Sequence, residues 1–208
     1  GFLKIISIFS FLGIMLGVAI LIIVMSVMNG FKTDLTNKII GLNPHVVIQS
    51  NGFNIDEKYI SKIKNNFKDI SISKTYSGEG VIIKNDQAKG IIFKGVNNGE
   101  KKIQEFLEKN IVSGDVKKFK KNNIFIGSEL AFNLNLNEGD RINLMSSAFV
   151  ATPLGSLPKQ ENFKIAGIFN TGFVEFDQNI IFLIIEDALS IFEKDNKDQN
   201  LEIYLKDP

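Results

Sequence analysis

A chain of 208 residues with 44% hydrophobic side chains has enough apolar material for one large or two small cores. Its 24 basic and 23 acidic residues leave a net charge of +1 and no basic block of the kind that binds nucleic acid. The absence of cysteine excludes disulfides, thiolate chemistry and cysteine-based metal sites without deciding the redox compartment.

From Ile5 to Met28 there is no charged residue, and the clearly polar side chains are Ser7, Ser10 and Ser26. At ~1.5 Å per residue this run spans about 36 Å, more than a hydrocarbon core of roughly 30 Å. That is the expectation for a transmembrane helix. A signal peptide would have a shorter apolar core and a small-residue cleavage site, whereas here an amphipathic segment follows directly. Phe31, Leu35, Ile39 and Leu42 recur at helical spacing, with Lys32, Asp34, Asn37 and Lys38 on the other side. The helix is therefore expected to continue as a stalk, with Gly41 capping its end and Asn43-Pro44 stopping it. Gly13 and Gly17 form a G-x-x-x-G pair, a weak signal because glycine is common in membrane helices. Charge says little about orientation, since only Lys4 precedes the span, and the chain opens without Met as a fragment would.

Beyond the stalk, "HVVIQS" at His45 to Ser50 reads as a strand. Ile55 to Phe67 reads as an amphipathic helix with Tyr59, Ile60, Ile63 and Phe67 on one face. Val81 to Lys84 and Ile91 to Val96 form a candidate hairpin around "NDQAKG". The lysines at 101–102 and 117–121 are interleaved with acids or Asn and read as solvated faces. Ser128 is a candidate N-cap for a short helix ending at Asn135, a residue that tolerates the left-handed conformation. "NEGD" turns into a strand at Arg141 to Met145, and "FKIAGIF", "NIIFLII" and "LEIYL" are later strands, with "EDALSIF" a short helix. Strands and helices mix without regular βαβ alternation, so the expected class is α+β.

The segment "AFVATPLGSLPKQENF", Ala148 to Phe163, places Pro153 and Pro158 around Leu154 and Leu157. Proline fixes φ and removes a donor, so this segment is neither mid-helix nor central strand. One reading is an exposed arm, preset for docking and cheap in entropy to immobilise. The other is a long β-hairpin whose leucines fold back onto their own sheet.

Catalysis fits poorly. The one histidine, His45, stands beside Pro44 at a strand start and reads as structural, so a histidine triad or metal site has little to draw on. Neither G-x-S-x-G nor a P-loop motif occurs. Glu175 and Asp177 in "FVEFDQN" lie on opposite faces if that segment is extended, which argues against a paired acid and base. The expectation is a non-enzyme whose energy comes from a partner.

The run Phe9 to Ile48, with "MSVMNGF" at Met25 to Phe31 followed by "GLNPH", resembles the first transmembrane segment of the LolC and LolE type of lipoprotein-release permeases. "GSELAFNLNLNEGDRINL" at Gly127 to Leu144 and "FKIAGIFNTGFVEFDQNIIFL" at Phe163 to Leu183 agree, although Asn135 stands where that family usually has Gly. The resemblance implies a transmembrane helix and stalk over 1–42. It implies a MacB-like periplasmic domain over 43–208, with a protruding Hook-like loop at 148–160. The later membrane helices of a four-helix permease would then be missing from this chain.

By the same resemblance, Thr152, Pro153, Leu154, Gly155, Ser156, Leu157 and Pro158, with Gln160 at the base, would hold a LolA-like periplasmic carrier. Asn143 and Glu161 fall where the family would have arginines. Val24, Val27, Met28 and Phe31 would line the lipoprotein path. The implied partners are a LolD-like ATPase carrying ATP and Mg, a second permease subunit, lipoproteins and the inner membrane, with no cofactor in this chain. Two rivals remain: a MacB-like or FtsX-like permease that transmits force, and a membrane-anchored periplasmic binding domain without an ATPase.

Overall fold

The computed structural model describes residues 1–42, 44–50, 55–67, 69–84, 87–153 and 155–205, with side chains of 34–42 excepted. It divides into two units, 1–43 and 44–208, each treated by itself.

The first unit is a single helix, α1, Phe2–Leu42. No proline interrupts it, and beyond Asn29-Gly30 the Thr33 hydroxyl donates back to the Asn29 carbonyl at 2.9 Å, four residues earlier. Residues Phe2–Thr33 are long and apolar enough to cross a membrane. Large apolar side chains are exposed all around this stretch, from Phe2 to Phe31, which suits a hydrocarbon solvent rather than water. The helix runs through Gly41 to Leu42, so Gly41 lies in its last turn instead of capping it. Asn43, the expected stop with Pro44, lies outside the described residues.

The second unit opens with β1 (Val46–Ile48), α2 (Glu57–Asn66), β2 (Ile70–Lys84) and β3 (Gln87–Val96). It continues with α3 (Lys101–Asn110), β4 (Ile111–Gly114), β5 (Asn123–Gly127), α4 (Ser128–Asn133), β6 (Arg141–Thr152) and β7 (Gly155–Phe169). It closes with α5 (Val174–Asn179), β8 (Ile180–Ile184), α6 (Ile185–Ile191) and β9 (Asn200–Leu205).

The strand pairings make a closed circuit, β2 to β3 to β8 to β5 to β7 to β6 and back to β2. β9 and then β1 extend from the first half of β2, and β4 flanks β7. Only the β3/β8 and β5/β7 pairs are parallel among the described strands, so the α+β class holds.

β8 shows why the circuit forms. Ile181 and Leu183 point into an inner core with Ile82, Phe93, Ile126, Leu144 and Phe163, which helices α4 and α6 close with Leu130, Leu134 and Ile191. Phe182 and Ile184 point the other way, into an outer core with Phe125, Phe169, Ile103 and Leu107 under α3. A strand buried on both faces reads as the uninterrupted apolar run seen in "NIIFLII".

Several local expectations are corrected. The hairpin around "NDQAKG" is far longer than expected, since β2 starts at Ile70 and pairs with β3 from Thr75↔Val96 to Lys84↔Gln87. The "FVEFDQN" segment is helical, not extended. Its N-terminal turn is drawn in by the buried Asp177 carboxylate, which accepts from the Thr171 backbone N–H at 3.0 Å and its hydroxyl at 2.8 Å. Glu175 stays exposed, so the two carboxylates do not pair.

Gly127, not Ser128, is the N-cap of α4, and the Ser128 hydroxyl is buried without a partner. On α2 only Ile60 is buried, while Tyr59 and Phe67 are exposed. Asn135 does take the left-handed conformation, φ 49°, letting the Leu136 N–H reach the Ala131 carbonyl at 2.8 Å and end the helix.

Candidate partner-binding arm

β6 and β7 pair in register from Arg141↔Lys164 to Met145↔Gln160, break, and resume from Phe149↔Pro158 to Thr152↔Gly155. At the break Ser146, Ser147 and Ala148 oppose Lys159 alone, so the ladder carries a bulge that bends the ribbon. Pro153 follows the last pair, Thr152↔Gly155, into the turn, and Leu154 lies outside the described residues. Pro153 presets the first turn dihedral, and Gly155 at φ 116° occupies a region that a side chain disfavours. The Thr152 hydroxyl closes the turn by donating to the Gly155 carbonyl at 2.7 Å. Pro158 is tolerated because each strand of a two-stranded ribbon is an edge.

The segment is thus a β-hairpin, and Leu157 does not fold back onto the sheet. Directly opposed residues share a face, so Phe149 and Pro158 lie on one side of the ribbon and Val150 and Leu157 on the other. Phe149 is 65% exposed, Leu157 50% and Val150 37%, and none belongs to either core. From Phe149 to Pro158 the ribbon carries no charge. Ser156 is exposed as well. Apolar groups on both faces of an uncharged, turn-locked ribbon favour insertion between two apolar walls over docking on a flat surface.

Phe149 and Val150 were not among the residues expected from sequence. The sequence signal in "AFVAT" is two adjacent large apolar residues, one for each face of a strand.

At the base, Asn143 donates through Nδ2 to the Gln160 side-chain carbonyl at 3.1 Å, and the Gln160 amide contacts the Met145 sulfur at 3.7 Å. Glu161 accepts from the Ser190 hydroxyl at 3.1 Å. The two positions expected to be arginines are therefore engaged within the domain.

On α1, Val24, Val27, Met28 and Phe31 fall on one apolar stripe of the helix surface, with Ile23 at its edge. Each of the four is exposed.

His45 serves structure: its backbone N–H donates to the Ile203 carbonyl at 3.0 Å, and its Nδ1 accepts from the Leu205 N–H at 3.0 Å. Another polar cluster lies where β2, β3 and β9 meet the start of α3. There Glu202 is buried, paired with Lys94 at 3.1 Å and accepting from the Tyr204 hydroxyl at 2.6 Å. Lys102 sits 3.3 Å over the Tyr204 ring, so it is not simply solvated. Burial and the neighbouring Lys94 charge lower its pKa. Ser73 donates to Glu100, whose carboxyl is pushed up to about 7, chiefly by burial and further by Glu202, against the Lys74 N–H and Lys94. Ser73, Glu100, Lys94, Glu202, Tyr204 and Lys102 thus engage one another. Among the described residues no group of three His, Cys, Asp or Glu side chains could hold a metal.

The chain combines a helix of membrane-spanning length with an α+β domain that carries a protruding two-stranded ribbon. Residues 7–208 match the MacB-like periplasmic core domain, and the chain belongs to that family. It is 27% identical over 94% of its length to the lipoprotein-releasing system transmembrane protein LolC of Xylella fastidiosa, covering 48% of that protein. The LolC of Buchnera aphidicola subsp. Schizaphis graminum is 33% identical over the whole chain, which covers 52% of it. The LolE of Haemophilus influenzae is 27% identical over 96% of the chain and 50% of the relative. The chain thus spans about half the length of the curated relatives it matches. Among solved structures, the extracellular domain of the ABC-type transporter YknZ overlaps 77% of this chain and 84% of its own, at 11% identity and a TM-score of 0.48.

Proposed function

We propose that this chain is the first membrane helix and periplasmic domain of a permease subunit in a lipoprotein-releasing ABC transporter of the bacterial inner membrane. The domain after residue 42 lies in the periplasm. In this reading the transporter draws lipoproteins from the outer leaflet and passes them to a LolA-like carrier. ATP and Mg act in a separate LolD-like ATPase, and a second permease subunit completes the lipid path.

The energetics set the need. At ~0.8 kcal/mol per buried methylene, three acyl chains of roughly fifteen carbons are held by on the order of 36 kcal/mol. Release then requires ATP-driven work, an apolar path along the stripe of Val24, Val27, Met28 and Phe31, and a docked acceptor that keeps the lipid out of water.

The observation that carries the reading is the uncharged ribbon at 149–158, apolar on both faces and outside both cores. Together with similarity to LolC over the whole chain, it supports carrier docking through Thr152 to Pro158, with Gln160 at the base. The deciding experiment measures binding of the detergent-solubilised protein to a LolA-type carrier, alongside lipoprotein release from membranes when this subunit is depleted. Carrier binding and lipoprotein retention are expected. Absence of both would overturn the reading.

A further inference from the structure

We infer that Lys159 is a positioning residue that fixes the angle of the arm on the barrel by binding the last turn of α6. This rests on the proposed docking role for why the angle matters, but the mount itself stands on contacts alone. The ribbon has a natural hinge at its bulge, where Ser146 to Ala148 face a single residue and ladder bonds are lost. That single residue is Lys159, and its side chain reaches off the ribbon to α6.

An ammonium has three donors, and three acceptors surround this one. The Ser190 carbonyl lies at 2.8 Å, the Glu193 carboxylate is hydrogen-bonded to it, and the Glu161 carboxylate is 3.6 Å away. Ser190 closes the group by donating to Glu161. The opposite strand is tied one residue further on, where the buried Ser146 hydroxyl donates to the Ile191 carbonyl at 2.6 Å and accepts from the Ala148 N–H at 3.2 Å. Both strands of the hinge are thus fastened to consecutive carbonyls in the last turn of α6, where the Ser190 carbonyl also accepts from the Glu193 N–H at 3.1 Å.

α6 in turn is anchored. Phe192, directly after it, packs edge-on against Phe93 and tilted against Tyr76, with ring centroids 5.2 and 5.3 Å away. The order of attachment is barrel core, Phe192, α6 carbonyls, Lys159, arm. Ser146 holds the buried side of the bulge, and Lys159 holds the side from which the ribbon would swing.

The chain has no cysteine, so two introduced ones report a single distance. Nitroxide labels at Ser156→Cys on the arm and Glu108→Cys on α3, both exposed positions, are read by pulsed EPR in the full chain. One narrow distance distribution is expected in this background. Lys159→Met should broaden it, and Lys159→Arg should restore it, with the melting temperature held within a few degrees. Glu193→Gln, which removes the carboxylate charge at an exposed site while keeping one acceptor oxygen, should broaden it less and covers the case that Lys159→Met folds poorly. A distribution as narrow in Lys159→Met and Glu193→Gln as in the parent overturns the proposal.

Carrier affinity is measured on the same Lys159 and Glu193 variants made without the cysteines and labels, and a three- to tenfold loss in Lys159→Met, recovered in Lys159→Arg, is expected. If no variant and no parent binds the carrier while the distances still broaden, the docking function fails and the mount remains.

Discussion

Val150 and Leu157 face each other as Cα partners across the arm, and both remain in water, bound to neither core. An apolar cross-strand pair held in solvent loses nothing from the domain when it is cut back, so its cost should appear only on docking. Leu157→Ser and Phe149→Ser are each expected to weaken carrier binding by on the order of 1.5 to 3 kcal/mol, about ten- to a hundredfold. Leu154→Ser together with Leu157→Ser should abolish a micromolar contact. Pro153→Gly should cost less, about 0.4 to 1 kcal/mol, through freedom gained by the free ribbon. Calorimetry with a LolA-type carrier reads the affinities. Unchanged melting curves are expected throughout, and a large melting shift in Leu157→Ser would place that side chain in the core.

How far the sequence disclosed this fold depends on whether each strand's pattern matched its burial. "NIIFLII" was legible because burial on both faces leaves a plain apolar run. The first half of β2 was not, because its buried residues are Ser73 and Thr75 beside the Glu100 cluster, while Ile70 and Ile72 stay half-exposed. Period-two reasoning assigns those faces the other way round. Helix α3 carried a usable signal in Ile103 and Leu107, four apart and both buried, yet the flanking lysines read as a solvated face. The arm was legible through its prolines. Its apolar flank and its mount on α6 were not, because residues 159 and 190 meet only in the folded barrel.

Gly127 marks a contact that no side chain can replace. A Cβ there would lie 2.0 Å from the Asp177 carbonyl oxygen and 2.5 Å from its carbon, both backbone atoms. Gly127→Ala therefore has to push β5 and α4 off α5, and a loss at or above the upper end of about 1 to 3 kcal/mol is expected. Gly90→Ala, with open space around its Cβ position, serves as the near-neutral control. Urea denaturation compares the two. Equal midpoints would show that α5 yields without cost.

The stripe on α1 makes a claim about the lipid path that one face of the helix can test against another. Photocrosslinking residues at Met28 and Phe31 in the assembled transporter should capture lipoprotein, whereas one at Ser26, about 160° around the helix from Met28, should capture permease or phospholipid. Capture of permease helices alone at Met28 and Phe31 would assign the stripe to helix packing.

Glu100 gives the domain a pH dependence whose sign follows from burial. Its carboxyl is held at about 7 in the folded protein, above the ordinary value of 4.5, mainly because burial disfavours the charge and Glu202 repels it. An acid whose pKa is raised by folding binds its proton more tightly folded than unfolded, so stability is fully present below about pH 4.5 and falls as pH rises toward 7. The shift corresponds to ~1.36 kcal/mol per pH unit before screening. Because part of the side chain stays in water, a loss on the order of 1 to 2 kcal/mol is expected between pH 5 and pH 8. Burial also raises Asp177 and Asp187, which adds dependence of the same sign, so the comparison must isolate Glu100. Glu100→Gln keeps the neutral shape and removes the titration. It should match the parent near pH 5 and exceed it in urea midpoint at pH 8, because only the parent must then carry a charge beside Glu202. A parent as stable as the glutamine variant at pH 8, or more so, would show that the Glu100 charge is stabilised where it stands.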